Sequence, residues 1–258
     1  MKIVEIPELV PFVEKLGLKW SILYILAPKE TTCRVVSDAE TQTHKIWVHD
    51  EAISHKELFL CDLVHELCHC KLAEAIDPIF SALSFPKRYG RLKGKLAKNF
   101  KLASHMLYLA FSLVDIWVDD LRHSLWPELT LKDYESYSKA LLFFTKEEFW
   151  PEIKRFIETP ENLLGIALYL ADNKRRNFSP VNLDPLFKHL SKENKILIER
   201  LVDFYSSLPY LSYRAERDLE ILEKSVKKAA KLLGFPISPR LVKEEGQMVW
   251  EIPEIEKW

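Results

Sequence analysis

Residues 61 to 74 read CDLVHELCHCKLAE, and how this stretch is read decides the fold. On a helix, residues four apart project from one face, one turn above the other, so His65 and His69 can both reach one ion. Glu66 is turned about 100° from His65, beside such an ion rather than on it. Two imidazoles can chelate a metal from that face, and the carboxylate is placed to take a proton from an attacking water.

The surrounding residues supply a helix and its neighbours. Ser54-His55-Lys56-Glu57 has the form of a capping box, with Ser54 as N-cap and Glu57 reaching back to its backbone N–H. The pattern predicts a helix from there to about Ile76, where Asp77-Pro78 stops it because the residue before a proline is pushed out of the helical region. Upstream, Pro7 to Gly17 reads as an amphipathic helix. Thr31 to Ser37 and Thr43 to Val48 flank a turn-like segment and predict an antiparallel pair of strands. Downstream, Gly90 and Gly94 precede a second helix that should continue through Leu102 to Leu125 and end before Pro127. Its middle, LYLAFSLVDIWVDDL, is apolar almost all round. Beyond Pro127 the pattern is helical to about Leu233, and the tail looks extended. The expected fold is α+β and mostly helical: a small antiparallel sheet packed on a pair of helices in a front domain, 1–126, followed by a helical C-terminal domain, 127–258.

Composition narrows the function. Of 258 residues, 48% are hydrophobic and 12% aromatic, enough for a packed core and too many for disorder. Lys and Arg total 37 against 38 Asp and Glu, so no overall field directs the chain toward nucleic acid or a membrane. The apolar run Leu102 to Val118 is too short to span a bilayer and contains His105 and Asp115, which suits a buried helix. The start, MKIVEIPELV, lacks the apolar core and cleavage site of a signal peptide, so a cytoplasmic location is expected. Cys33, Cys61, Cys68 and Cys70 form no CxxC pair and are expected as reduced thiols. Two glutamines and six asparagines beside abundant Lys and Glu match a balance reported for proteins from hot environments. One local imbalance stands out: no acidic residue lies between Pro78 and Val114, where Lys87, Arg88, Arg91, Lys93, Lys95, Lys98 and Lys101 form a basic block. A solvated helix face, or a rim over the site, fits it better than a nucleic-acid surface.

His65-Glu66-Leu67-Cys68-His69 resembles the HExxH helix of the zincin metallopeptidases. Over about residues 31–126, that resemblance implies Zn2+ held by His65 and His69, Glu66 as general base, and a peptide or protein substrate. The third ligand lies outside the motif. A metzincin would continue with a glycine and a third histidine, where this chain has Cys70-Lys71-Leu72-Ala73-Glu74. Glu74 lies off the histidine face, Cys61 is roughly 12 Å from His69 along the axis, and Cys68 and Cys70 read as buried thiols.

The likeness is therefore to the gluzincins, whose third ligand is a carboxylate on a second helix. Asp115 and Asp119 share one face of a helix with apolar neighbours, where a buried carboxylate is costly unless it is paired or metal-bound. By that likeness Asp115 would be the ligand and Asp119 would orient a histidine. The alternative is Asp119 as ligand, with Asp115 and His123 one turn to either side. The family usually places a glutamate here, so an aspartate shortens the reach by one methylene. Arg214-Ala215-Glu216-Arg217-Asp218 is a third choice, on flanks charged enough for an exposed helix. Thr43 to His49 is the candidate strand for substrate to extend, and His123, His189, Tyr210, Tyr213 or Arg214 could stabilise an oxyanion. The competing reading is a non-catalytic helical binding protein with a structural or vestigial metal site, in which the basic block 87–101 makes the contacts.

Overall fold

The histidine stretch lies within a 20-residue helix, Lys56–Ala75, whose described side chains are buried on nearly every side. The computed structural model describes residues 2–28, 33–49, 56–82, 84–85, 100–143, 146, 157–179 and 182–253. Ser54, the Glu57 side chain, the block from Lys87 to Lys98 and the Lys101 side chain lie outside the described residues. In chain order the elements are β1 (Lys2–Val4), a 3-10 turn (Pro7–Leu9), α1 (Val10–Leu16), β2 (Ser21–Ala27), β3 (Arg34–Asp38), β4 (Thr43–His49) and α2 (Lys56–Ala75). A second 3-10 turn (Pro78–Phe80) leads to α3 (Phe100–Leu125), α4 (Pro127–Phe143), α5 (Pro160–Arg176) and α6 (Asp184–His189). Then come α7 (Lys192–Ser206), α8 (Ala215–Leu232), β5 (Arg240–Glu244) and β6 (Gln247–Glu251). The chain is α+β and mostly helical.

The sheet differs from the expected antiparallel one. β3 and β4 do pair antiparallel, with Arg34 opposite Trp47 and Asp38 opposite Thr43. The strand order, however, is β1-β2-β4-β3, and β2 runs parallel to β4 from Ser21 opposite Thr43 to Ala27 opposite His49. Direction alternates along the chain, so inserting β4 between β2 and β3 makes one neighbour parallel and the sheet mixed. β2, SILYILA, is a continuous apolar run, a pattern that periodicity alone does not assign to a strand. The tail forms a hairpin, β5–β6, closed by Glu245 and Gly246 at φ 50° and 89°. Two successive positive φ values suit the tight turns that match strand twist.

α2 is wedged between the sheet and α3. On the sheet side Glu74 accepts the backbone N–H groups of Lys19 and Trp20, each at 2.9 Å, and lies 3.0 Å from His44 Nε2. His44 Nδ1 meets Ser37 Oγ at 2.7 Å, and Trp20 stacks on the imidazole. Every polar atom of this buried group is satisfied when His44 is neutral, with Nε2–H donating to Glu74 and Nδ1 accepting from Ser37. Burial pushes the His44 pKa down, and the Glu74 carboxylate opposes it without prevailing. The unfolded chain therefore takes up a proton below about pH 6.5 that the folded chain does not, and stability falls as the pH drops through that value. Melting temperatures between pH 7 and pH 5 should fall more steeply for the wild type than for His44→Gln. Equal slopes would show that His44 is not the sensor.

On the other side α3 packs along α2, and α4, α5 and α8 pack on α3. One core of buried side chains runs from Leu9 through Trp117 and Tyr205 to Ile252 and includes residues on both sides of position 127. Trp117 Nε1 donates to the Pro209 carbonyl at 2.9 Å, tying α3 to the loop after α7. All four cysteines are free thiols, three of them buried. Among the described residues, no helix is long and apolar enough to cross a membrane.

Candidate metal centre

The packing of α3 on α2 brings three acceptor atoms together. His65 Nε2 and His69 Nε2 are 3.2 Å apart, and Asp115 Oδ1 lies 3.2 Å from the second and 3.6 Å from the first. Zinc bonds of about 2.0–2.2 Å at tetrahedral angles place ligand atoms about 3.3 Å apart, so this triangle has the size of one face of a zinc tetrahedron. His65, His69 and Asp115 could thus hold a metal ion.

The other nitrogen of each ring fixes the tautomer. His65 Nδ1–H donates to Asp119 Oδ1 at 3.0 Å, and His69 Nδ1–H donates to the Phe80 carbonyl at 2.7 Å. Both Nε2 lone pairs then converge on the Asp115 oxygen, an arrangement that only a shared proton or a cation relieves. Partners of this kind, a carboxylate on one ring and a carbonyl on the other, orient metal-binding histidines and raise their basicity. The structure thus gives the two aspartates different places: Asp115 beside both Nε2 atoms, Asp119 behind His65. Phe80 is presented by the 3-10 turn that follows Asp77, whose carboxylate caps it by accepting the Ile79 N–H at 2.9 Å. The Asp77-Pro78 stop signal marked that turn, although the sequence does not show that its last carbonyl returns to His69.

The field at the site favours positive charge. Burial opposes a proton on His65, yet Asp119 and Asp115 outweigh it and hold the imidazole well above its ordinary value. Burial would raise Asp119, but Arg122 and then His65 hold it well below the usual carboxylate range. Glu66 is 9% exposed, and burial raises its carboxyl while the His69 and His65 imidazoles pull it down.

Behind the histidines runs an ion network that the sequence did not announce. Arg122, 2% exposed, reaches Asp119 at 2.9 Å, Asp133 at 2.7 Å and the Cys61 carbonyl at 3.3 Å. Arg175 binds Asp120 through two nitrogens, at 2.8 and 2.6 Å, while Arg176 bridges Asp172, Asp120 and the Ile116 carbonyl. Asp119, Asp120, Asp133 and Asp172 are thus each held by at least one of the three guanidiniums, whereas the ion-pair partners of Asp115 among the described residues are His65 and His69.

Other expected parts lie elsewhere. β4 is bonded to β2 on one side and β3 on the other, so it has no free edge for a substrate strand. Among the described residues β3 is the edge strand in contact with α2, and its Ser37 N–H donates outward to Ser81 Oγ at 3.0 Å. Just before β3, Cys33 is pushed up to about 12 by burial and by the nearby Asp62 and Glu66 carboxylates. His123 packs against Phe178, and Tyr210 lies over the Arg175 guanidinium. Asp218 is fully buried as a loop cap, accepting from the Ser212 and Arg214 N–H groups, and is not grouped with the histidines. None of His123, His189, Tyr210, Tyr213 or Arg214 lines the cavity of about 350 Å³ that opens beside His65 and Asp115 between α3, α4 and α5. Comparison with protein-family models, curated proteins and solved structures finds no match for this chain.

Proposed function

We propose that the protein is a zinc-dependent metallopeptidase in which His65, His69 and Asp115 hold the ion and Glu66 is the general base. The observation that carries this reading is the convergence of two Nε2 atoms and one carboxylate oxygen at zinc-like separations, from a helix bearing His-Glu-x-x-His. The field supports it as well, because Asp119 and Asp115 together favour positive charge at His65.

Zinc bound there would supply Lewis acidity to an attacking water and to the scissile carbonyl. Glu66, one position round the helix from His65, would accept the proton of that water and pass it to the leaving amine. Asp119 and the Phe80 carbonyl keep the two imidazoles oriented by holding their Nδ1–H groups. An extended peptide would run along the β3 edge on the Cys33 side of Ser37, whose own outward N–H is taken by Ser81 Oγ at 3.0 Å.

Metal analysis tests the proposal. The wild type, purified without added zinc and then exposed to it, is expected to carry one ion per chain. Asp115→Ala should lose it, and Asp119→Asn should weaken binding by about 10- to 100-fold without abolishing it. A wild type that takes up no zinc overturns the proposal and leaves His65, Asp115 and Asp119 as a buried ion pair network. If Asp119→Asn is the variant that loses the ion and Asp115→Ala keeps it, the ligand assignment is reversed.

A further inference from the structure

The cavity beside the metal centre has a distribution of charge that says what enters it. One end is formed by His65, Asp115 and Asp119, and the walls by Tyr134, Tyr137 and Tyr169 with Asp133 and Asp172. A second, shallower hollow shares Ser112, Asp115, Gly165 and Leu168 with it, so Asp115 stands where the two meet.

Arginines and aspartates both line this space, but they are not equally reachable. The Arg122 and Arg176 side chains are each 2% exposed, and their Nε atoms are buried without a partner among the described residues, so neither presents that donor to the cavity. Asp133 and Asp172 are 42% and 26% exposed, and among the described residues each gives one oxygen to its arginine, Asp133 to Arg122 and Asp172 to Arg176. A visitor therefore meets carboxylate oxygens, with the guanidiniums standing behind them.

The tyrosines add the rest of the lining. Tyr134 and Tyr169 stack in parallel 4.8 Å apart, and Tyr137 is tilted against Tyr169 at 5.6 Å. The hydroxyls of Tyr134 and Tyr169 are engaged with the Ser179 carbonyl and Ser138 Oγ, whereas that of Tyr137 has no hydrogen bond among the described residues. Aromatic faces beside carboxylates are the surroundings that attract ammonium and guanidinium groups.

We infer that this cavity is a specificity pocket for the side chain of a lysine or arginine in the substrate, received between the tyrosine rings and the free oxygens of Asp172 and Asp133. The inference rests on the metallopeptidase reading for its substrate class. A volume of about 350 Å³ admits a long side chain with its stem against the rings, more room than a terminal ammonium requires. The field agrees: burial, with Asp119 and Asp120 adding to it, pushes Asp172 up to about 7 although Arg176 touches it. That carboxyl still lacks positive charge.

The test measures binding without turnover, by calorimetry on the wild-type protein. The probes are N-acetyl-lysine methylamide, its uncharged norleucine counterpart, the glutamate counterpart, and alanine amide as a bare terminal ammonium. The lysine probe is expected to bind at least about tenfold more tightly than the other three, and Asp172→Asn to remove about that factor while leaving zinc content unchanged. Asparagine mimics the neutral form of Asp172, so this variant should fold. Gly165→Val gives a second check, because a side chain there meets the Tyr137 hydroxyl at 3.3 Å and narrows the cavity without altering its charge. It should also weaken lysine binding by at least about tenfold. Equal binding of norleucine, tighter binding of glutamate, or alanine amide matching lysine would overturn the pocket. So would lysine binding that Asp172→Asn leaves intact. A chain that binds zinc and hydrolyses peptides without preference for lysine loses the pocket alone. One that binds the lysine probe but no zinc keeps the pocket and loses the peptidase reading.

Discussion

Glu66→Gln is expected to retain one zinc ion per chain and to hydrolyse peptides about 100- to 10,000-fold more slowly than the wild type, the range that loss of a general base produces. Glutamine matches the shape of glutamate and can still hydrogen-bond to a water, but it cannot take the proton. Glu66 is well placed for this discrimination because it is close enough to the imidazoles to feel both, yet it is absent from the three-atom convergence. Loss of activity with the ion retained therefore separates base from ligand. Measured together, zinc content and initial rates on an unstructured protein substrate decide the matter: a Glu66→Gln variant as fast as the wild type removes Glu66 from the mechanism. A variant that loses the ion as well would make Glu66 part of the coordination.

The second large effect concerns stability. Arg122 is surrounded by Asp119, Asp133 and a backbone carbonyl with almost no access to water. Arg122→Met keeps the stem of the side chain and removes the charge, leaving Asp119 with His65 and the weaker field of Arg176 to answer it. Breaking one side of such a network costs about 3–5 kcal/mol, since the remaining carboxylate keeps its desolvation and loses its partner. In a chain of this length the melting temperature should fall by roughly 6–20 °C. The measurement belongs in chelator, so that metal binding does not contribute to the difference. Asp119→Asn added to Arg122→Met should recover part of the loss, because the two residues share one interaction. A single variant that costs less than about 1 kcal/mol would place Arg122 in the class of exposed pairs.

The parts of this site that were legible in the sequence share one property: each is polar where its surroundings are not. His65 and His69 repeat at helical spacing inside an apolar run, and Asp115 and Asp119 interrupt LYLAFSLVDIWVDDL at the same spacing. Both helices could be placed from their proline stops. What stayed hidden depends on partners remote in the chain. Arg122 and Asp133 flank Trp126-Pro127, and Arg175 and Arg176 end a helix some fifty residues further on, where basic residues are ordinary features of a C-terminal turn. Tyr134, Tyr137 and Tyr169 meet only because α4 and α5 lie side by side. β4 was only a candidate binding edge, with a core strand equally in keeping, because an alternating strand looks the same whether one or both of its sides are paired. β2 was missed because SILYILA has no alternation at all.

Glu74 was set aside as a bystander to the metal, and it is not among the residues that converge beside His65 and His69. Yet it stands nine positions after His65, about 180° round the helix, and its grip on Lys19, Trp20 and His44 sets the angular phase of α2 against the sheet. His65 and His69 meet Asp115 only at that phase. One residue inserted between His69 and Glu74 would leave every letter of HELCH in place while rotating the imidazoles about 100° away from Asp115. The aim of the histidines is set by a carboxylate on the far side of their helix.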